Sequence, residues 1–163
     1  MTVRRQATLF LHDESLDALR RRWNPLQAEL IDCHVTLLRE DEVDDWDDVR
    51  NWLLTKPSAF VMEFGKPVRE DNLVYLPCTD GVDAFQALRA CLLQSHTQMP
   101  RPHKPHITLI HPRNGQCTDE IFEMIFQAVE RKRVVFDEVC LIEQVAGGPW
   151  SVLGRYTLEG PLR

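Results

Sequence analysis

The chain writes one short strand twice. "CHVTLL" at 33–38 and "PHITLI" at 105–110 carry histidine, a branched apolar residue, threonine and leucine in the same order. In a β-strand successive side chains leave opposite faces. His34 and Thr36 therefore point one way and Val35 and Leu37 the other, while His106 and Thr108 separate likewise from Ile107 and Leu109. The branched and leucine residues suit a core. The opposite face presents an imidazole beside a hydroxyl, and burial alone gives no reason for that pair to occur twice.

The order of elements repeats around the two hexapeptides. In the first half, "QATLFLHD" reads as a strand and "ESLDALRRRW" as a helix with Leu16 and Leu19 on one side, interrupted by Asn24-Pro25. The motif strand follows, then a helix in "VDDWDDVRNWLL" with the stripe Val43, Trp46, Val49 and Leu53, then "SAFVMEFGK" as a strand alternating Phe60, Met62 and Phe64. In the second half, "NLVYLPC" is a strand and "GVDAFQALRACLLQ" a helix with Val82, Phe85, Leu88 and Leu92 inward. After the loop "MPRPHKP" come the motif strand and the helix "TDEIFEMIFQAVERK", with Thr118 as N-cap. "RVVFDEVCLIEQV" and "WSVLGRYTL" close the chain as two strands about the turn "AGGP". The first helix of each half contains "ALR", Ala18 to Arg20 and Ala87 to Arg89.

This pattern predicts an internal duplication and an α+β fold. Each lobe is a small, mainly antiparallel sheet with outer helices, and a central cleft lies between the lobes. With 163 residues the expectation is a single domain over 1–163, built of two pseudo-symmetric lobes. Each lobe contributes one His-x-Thr-Leu strand, 34–37 and 106–109. A pseudo-twofold relation would bring both His/Thr faces to one point.

Two convergent imidazoles suit a reaction that moves a proton at each end. An imidazole titrates near ~6.5, so one can accept a proton while the other donates. Attack of water on a phosphodiester needs that pairing, each transfer being worth about 10²- to 10⁴-fold. Neighbouring threonine hydroxyls can donate hydrogen bonds to the non-bridging oxygens.

The doubled motif, His34-Val35-Thr36-Leu37 and His106-Ile107-Thr108-Leu109, resembles that of the 2H phosphoesterases, the family of 2′-5′ RNA ligase-like proteins and cyclic phosphodiesterases. The resemblance covers nearly the whole chain. It implies metal-independent chemistry on 2′,3′-cyclic phosphates or 2′-5′ linked nucleotide or RNA ends, without a cofactor. It also implies His34 as proton donor, His106 as acceptor, and Thr36 and Thr108 as substrate-binding residues. The rival from another class is a nucleotide- or RNA-binding protein that uses the same cleft without turnover.

Other residues stay open at this point. Net charge is -6, yet 95–116 holds no carboxylate while carrying Arg101, Lys104, Arg113 and four histidines, a basic island suited to an anionic ligand. A small nucleotide or RNA terminus with a cyclic phosphate fits this balance better than a long duplex, which needs broad phosphate neutralisation. Arg39 and Arg113 follow the motif strands and could meet flanking phosphates, although Arg39 abuts the acidic run "EDEVDDWDD" and an ion pair is its ordinary role. Trp150 in "GGPW" reads as a hairpin or core residue, with stacking on a base as the alternative. His12 and His96 read as structural.

A zinc site built from His103, His106 and His111 is the remaining rival. Their separations of three and five residues put neighbours on opposite strand faces, so no metal is expected. Five scattered cysteines without a Cys-x-x-Cys pair predict free thiols. No apolar run approaches a signal-peptide core or a membrane span, and the expectation is a cytoplasmic monomer with no membrane partner.

Overall fold

The computed structural model describes residues 1–94 and 102–160. His96 and Arg101 lie outside the described residues.

Two antiparallel sheets carry the fold. In one, β1 (Val3–Phe10) pairs with β2 (His34–Leu38) on one side and β8 (Glu138–Val145) on the other, and β8 pairs with β9 (Trp150–Thr157). In the second, β5 (Leu73–Asp80) is central. It pairs with β3 (Phe60–Phe64), β4 (Val68–Glu70) and β6 (His106–Ile110), and β7 (Lys132–Phe136) lies beyond β3. Tyr75 faces both Val68 and Thr108, so β4 and β6 occupy opposite edges of β5. Each sheet thus has a motif strand along one edge. The fold is α+β, duplicated and two-lobed, as the element pattern predicts.

The helices start where local chemistry starts them. The Asp13 carboxylate accepts from the Leu16 amide at 3.1 Å and opens α1 (Glu14–Trp23), and Pro25 occupies the first turn of α2 (Pro25–Leu30), where its missing N–H costs nothing. Asp45 caps α3 (Trp46–Leu54), behind a 3₁₀ turn at Glu40–Glu42. In α4 (Val82–Leu93) Phe85, Leu88 and Leu92 are buried as expected, but Val82 is 37% exposed because the helix enters from the surface at Gly81. Thr118 caps α5 (Asp119–Ala128), its hydroxyl accepting from the Ile121 amide at 3.2 Å. α1 packs on β6 and α4 on β2, so the first helix of each half braces the motif strand of the other lobe. One hydrophobic core runs through both sheets, from Leu9, Leu16, Val35 and Leu37 to Met62, Phe64, Leu76, Phe85 and Ile107.

The lobes are not the two halves of the sequence. β3, which ends the first half, joins the sheet of β5, and β8 joins the sheet of β1. "RVVFDEVCLIEQV" is two strands in different sheets, parted at Asp137, whose carbonyl accepts from the Leu158 amide at 2.7 Å. Strand-forming residues on both sides of Asp137 give no local sign of the crossing. All five cysteines are free, and among the described residues no helix is long and apolar enough to cross a membrane.

Candidate active site

Both motif strands expose the face that their parity predicts. Val35, Leu37, Ile107 and Leu109 are buried, whereas His34, Thr36, His106 and Thr108 are half-buried. The duplication extends to the hydrogen-bonding register. Phe10, Leu9, Thr8 and Ala7 face His34, Val35, Thr36 and Leu38, and Pro77, Leu76, Tyr75 and Val74 face His106, Ile107, Thr108 and Ile110. Each ladder slips at the same step, passing over Leu37 in one and Leu109 in the other.

Both imidazoles are held by one device. His34 Nδ1 lies 2.7 Å from the carbonyl of Asp32, and His106 Nδ1 lies 2.8 Å from that of Lys104. A carbonyl only accepts, so Nδ1 carries the proton in each ring and Nε2 is left for chemistry. An aromatic edge steadies each imidazole, Phe10 at 6.2 Å from His34 and Tyr75 at 5.6 Å from His106. Both histidines and both threonines line a single cleft of about 350 Å³.

That cleft is basic although the chain is acidic. Arg4, Arg5, Arg20, Arg39 and Arg113 line it, against Glu40 and Asp41. Arg20 is buried and donates to the Ile31 carbonyl at 2.8 Å, beneath the strand that carries His34. Arg89, its counterpart in the second "ALR", is also buried. It donates to the Leu37 carbonyl at 2.5 Å and pairs with the Glu42 carboxylate at 2.5 and 3.1 Å. The repeated "ALR" thus supplies one buried arginine behind each end of the first motif strand. Gln6 donates to the Thr36 hydroxyl at 3.1 Å and to Thr8 at 2.8 Å, which leaves the Thr36 O–H proton free to point into the cleft.

Desolvation acts on His34 and on a third histidine beside it, His103. Burial pushes His34 down to about 4, with Arg20 and His106 adding to the effect and the Asp32 carbonyl opposing it. At neutral pH the ligand-free ring is therefore neutral, a proton acceptor, whereas the resemblance implies a donor at this position. His103 is 5% exposed and donates from Nε2 to the Thr36 carbonyl at 2.8 Å, tying the second motif's loop to the first motif strand. Desolvation, with help from Arg39, Arg89 and His106, pushes it down to about 4 as well. The His111 ring accepts from the Arg113 amide at 3.1 Å, and burial lowers its pKa.

The remaining open residues now have places. Arg39 lines the cleft and makes no ion pair among the described residues; its backbone amide donates to the Glu42 carboxylate at 3.0 Å. The expected surface pair is not formed among the described residues, and Arg39 borders the cleft and the cavity beside it instead. Trp150 opens β9 in the hairpin, as read, and also lines the cleft with Arg4 at 5.4 Å over its ring. Lys104 contributes its carbonyl to His106. Among the described residues no three His, Cys, Asp or Glu side chains gather as metal ligands do. Gln6, Arg4 and Arg5 went unnoticed in the sequence because their relevance depends on β1 lying beside β2; the second "ALR" was the available sign of Arg20 and Arg89.

A family model described as the 2′-5′ RNA ligase superfamily matches residues 10–148. The chain belongs to this superfamily. The membership bears out the resemblance to the 2H phosphoesterases and supports a phosphoesterase-type activity. Among solved structures, apo LigT of E. coli superimposes with a TM-score of 0.64 at 15% identity, over 96% of this chain and 98% of LigT. LigT complexed with NADP+ gives 0.62 at 18%, over 95% and 97%. A structure described as a phosphoesterase gives 0.58 at 16%, over 98% and 100%. At these identities the likeness is one of fold. LigT has also been crystallised with 3′-AMP, ATP and phosphate. No curated protein sequence matches the chain.

Proposed function

We propose that the chain is a metal-independent phosphodiesterase of the 2H type. In this reading its two lobes work as one domain, and it opens 2′,3′-cyclic phosphates or cleaves 2′-5′ linkages at nucleotide or RNA ends. His34 and His106 form the acid–base pair, and Thr36 and Thr108 hold the non-bridging oxygens. The observation that carries the reading is the repeated clamp: two imidazoles, each fixed through Nδ1 by the carbonyl two residues earlier, with both rings lining one basic cleft.

The reaction asks little more of the protein. One Nε2 takes a proton from water as the oxygen bonds to phosphorus. The bond from phosphorus to the departing sugar oxygen breaks, and that oxygen takes a proton from the other Nε2–H. A cyclic diester and water become a monoester, and the histidines exchange protonation states, which solvent restores. The neutral resting state of the His34 ring suits it to accept a proton, which leaves the donor's part to His106, the reverse of the family assignment. The arginine lining supports an anionic ligand, and the nucleotides bound by LigT support one of nucleotide size. The reading keeps the expectation of a monomer, and the free thiols suit the cytoplasm.

The test is ³¹P NMR of the chelator-treated protein with 2′,3′-cyclic mononucleotides, 2′-5′ dinucleotides and ADP-ribose cyclic phosphate. Conversion of at least one to its ring-opened or cleaved monoester is expected. Saturable binding with no turnover of any would replace the enzyme by a nucleotide-binding protein.

A further inference from the structure

The two motifs match in register and in histidine clamp, so they alone cannot tell one end of a phosphodiester from the other. Their flanks can. On the cleft face of β1 the neighbours of the first motif are Gln6, Thr8 and Phe10, and Arg4 and Arg5 lie just beyond. The corresponding positions on β5 are Leu73, Tyr75 and Pro77. Thr8 is fully buried and leaves no space, whereas Tyr75 borders a second cavity of about 630 Å³.

That cavity adjoins the catalytic cleft, since His106 and Arg39 line both. Its walls are mainly apolar: Leu73, Tyr75, Pro77 and Val82, with Pro102 and Pro105 from the segment before the second motif. Glu70 and Lys104 join Arg39 as its charged groups, and Cys78 and His103 complete the lining. The Glu70 carboxylate accepts a hydrogen bond from the Tyr75 hydroxyl at 3.3 Å through Oε1, leaving Oε2 and the second lone pair of Oε1 to accept from a ligand. Flat apolar walls, an aromatic ring and a carboxylate opening onto a phosphate-binding cleft suit a nucleobase.

We propose that this second cavity is the nucleobase subsite of the enzyme, that guanine is the base it binds best, and that it seats the nucleoside on the His106 side of the phosphate. The proposal rests on the phosphodiesterase reading for its phosphate site only. Tyr75 stacks on the base. Among the four bases only guanine presents two adjacent N–H donors, N1–H and the 2-amino group, to a carboxylate, with its O6 acceptor alongside for Lys104. With the nucleoside on this side the departing sugar oxygen faces His106, and attacking water faces His34 across phosphorus.

Binding calorimetry with 3′-nucleotides and with glycerol 2-phosphate, a probe without a base, tests this. 3′-GMP is expected to bind more tightly than 3′-AMP, 3′-CMP, 3′-UMP and the base-free probe. Tyr75→Ala should cut the ratio of 3′-GMP affinity to base-free affinity by about tenfold, the size of one base–aromatic stack, and Tyr75→Phe should restore it. Glu70→Gln, at an exposed position, should remove the preference for 3′-GMP over 3′-AMP. A base-free probe binding as tightly as 3′-GMP, or a guanine preference that survives Glu70→Gln, would overturn the proposal. A protein that binds in the expected order yet turns over no cyclic phosphate would refute the enzymatic reading and leave the subsite standing.

Discussion

His103 sits where protonation should loosen the cleft. Its Nε2–H is spent on the Thr36 carbonyl, so a second proton can enter only at Nδ1, inside the fold and near Arg39 and Arg89. The folded-state pKa is about 4, against 6.5 for an ordinary histidine. Between these values the unfolded chain binds the proton and the folded one does not, so stability is full above pH 6.5 and falls as pH drops toward 4. Linkage over that shift gives a loss of about 2 kcal/mol between pH 7.5 and 5, approaching about 3 kcal/mol below pH 4. Other groups titrate in the same range, so the comparison is with His103→Gln, whose side-chain amide can still donate to Thr36 but takes up no proton. Urea denaturation of both proteins at pH 7.5, 6 and 5 is the assay. The wild type is expected to lose about 2 kcal/mol more than the variant across that range. Parallel stability curves would refute the assignment of a neutral, buried His103.

Three further outcomes follow from the same geometry. Thr36→Val removes one donor to the developing charge and should lower kcat by about 10²-fold with a smaller change in KM; an unchanged kcat would show that the hydroxyl does not touch the reacting phosphate. Glu42→Ala takes both carboxylate oxygens from the buried Arg89 and one from the Arg39 amide, and should cost about 3–5 kcal/mol in urea denaturation. A loss below about 1 kcal/mol would mean that the guanidinium finds other partners. With His34 as the acceptor, kcat/KM should fall as pH drops through about 4, where that ring becomes protonated in the free enzyme. If His34 is the donor instead, kcat/KM should rise in that direction.

Much of the site was legible because it follows from strand parity, which is local. His34, Thr36, His106 and Thr108 could be set apart from Val35, Leu37, Ile107 and Leu109 without knowing any partner strand, and capping residues such as Thr118 marked their helices in the same local way. What depends on pairing between distant segments was not legible. Nothing within "RVVFDEVCLIEQV" says that Asp137 leaves one sheet for the other, and the lobes were therefore equated with the halves. Gln6 became relevant only once β1 lay beside β2, and Tyr75 once β5 lay beside β6. The acidic run hid Glu42 because five of its seven carboxylates are exposed surface groups or a helix cap and Asp48 is half-buried, while Glu42 alone turns inward to Arg89. Arg20 and Arg89 were visible as a repeat whose purpose only packing reveals.

The proposed mechanism needs two imidazoles at one phosphorus, and single-turnover rates of His34→Ala and His106→Ala on a 2′,3′-cyclic nucleotide test it most directly, with product-nucleotide affinity measured in parallel. Each variant is expected to lose about 10²- to 10⁴-fold in rate while retaining nucleotide binding, because each removes one proton transfer and leaves the arginine-lined cleft in place. A variant that turns over the substrate at the ordinary rate would contradict the two-histidine mechanism.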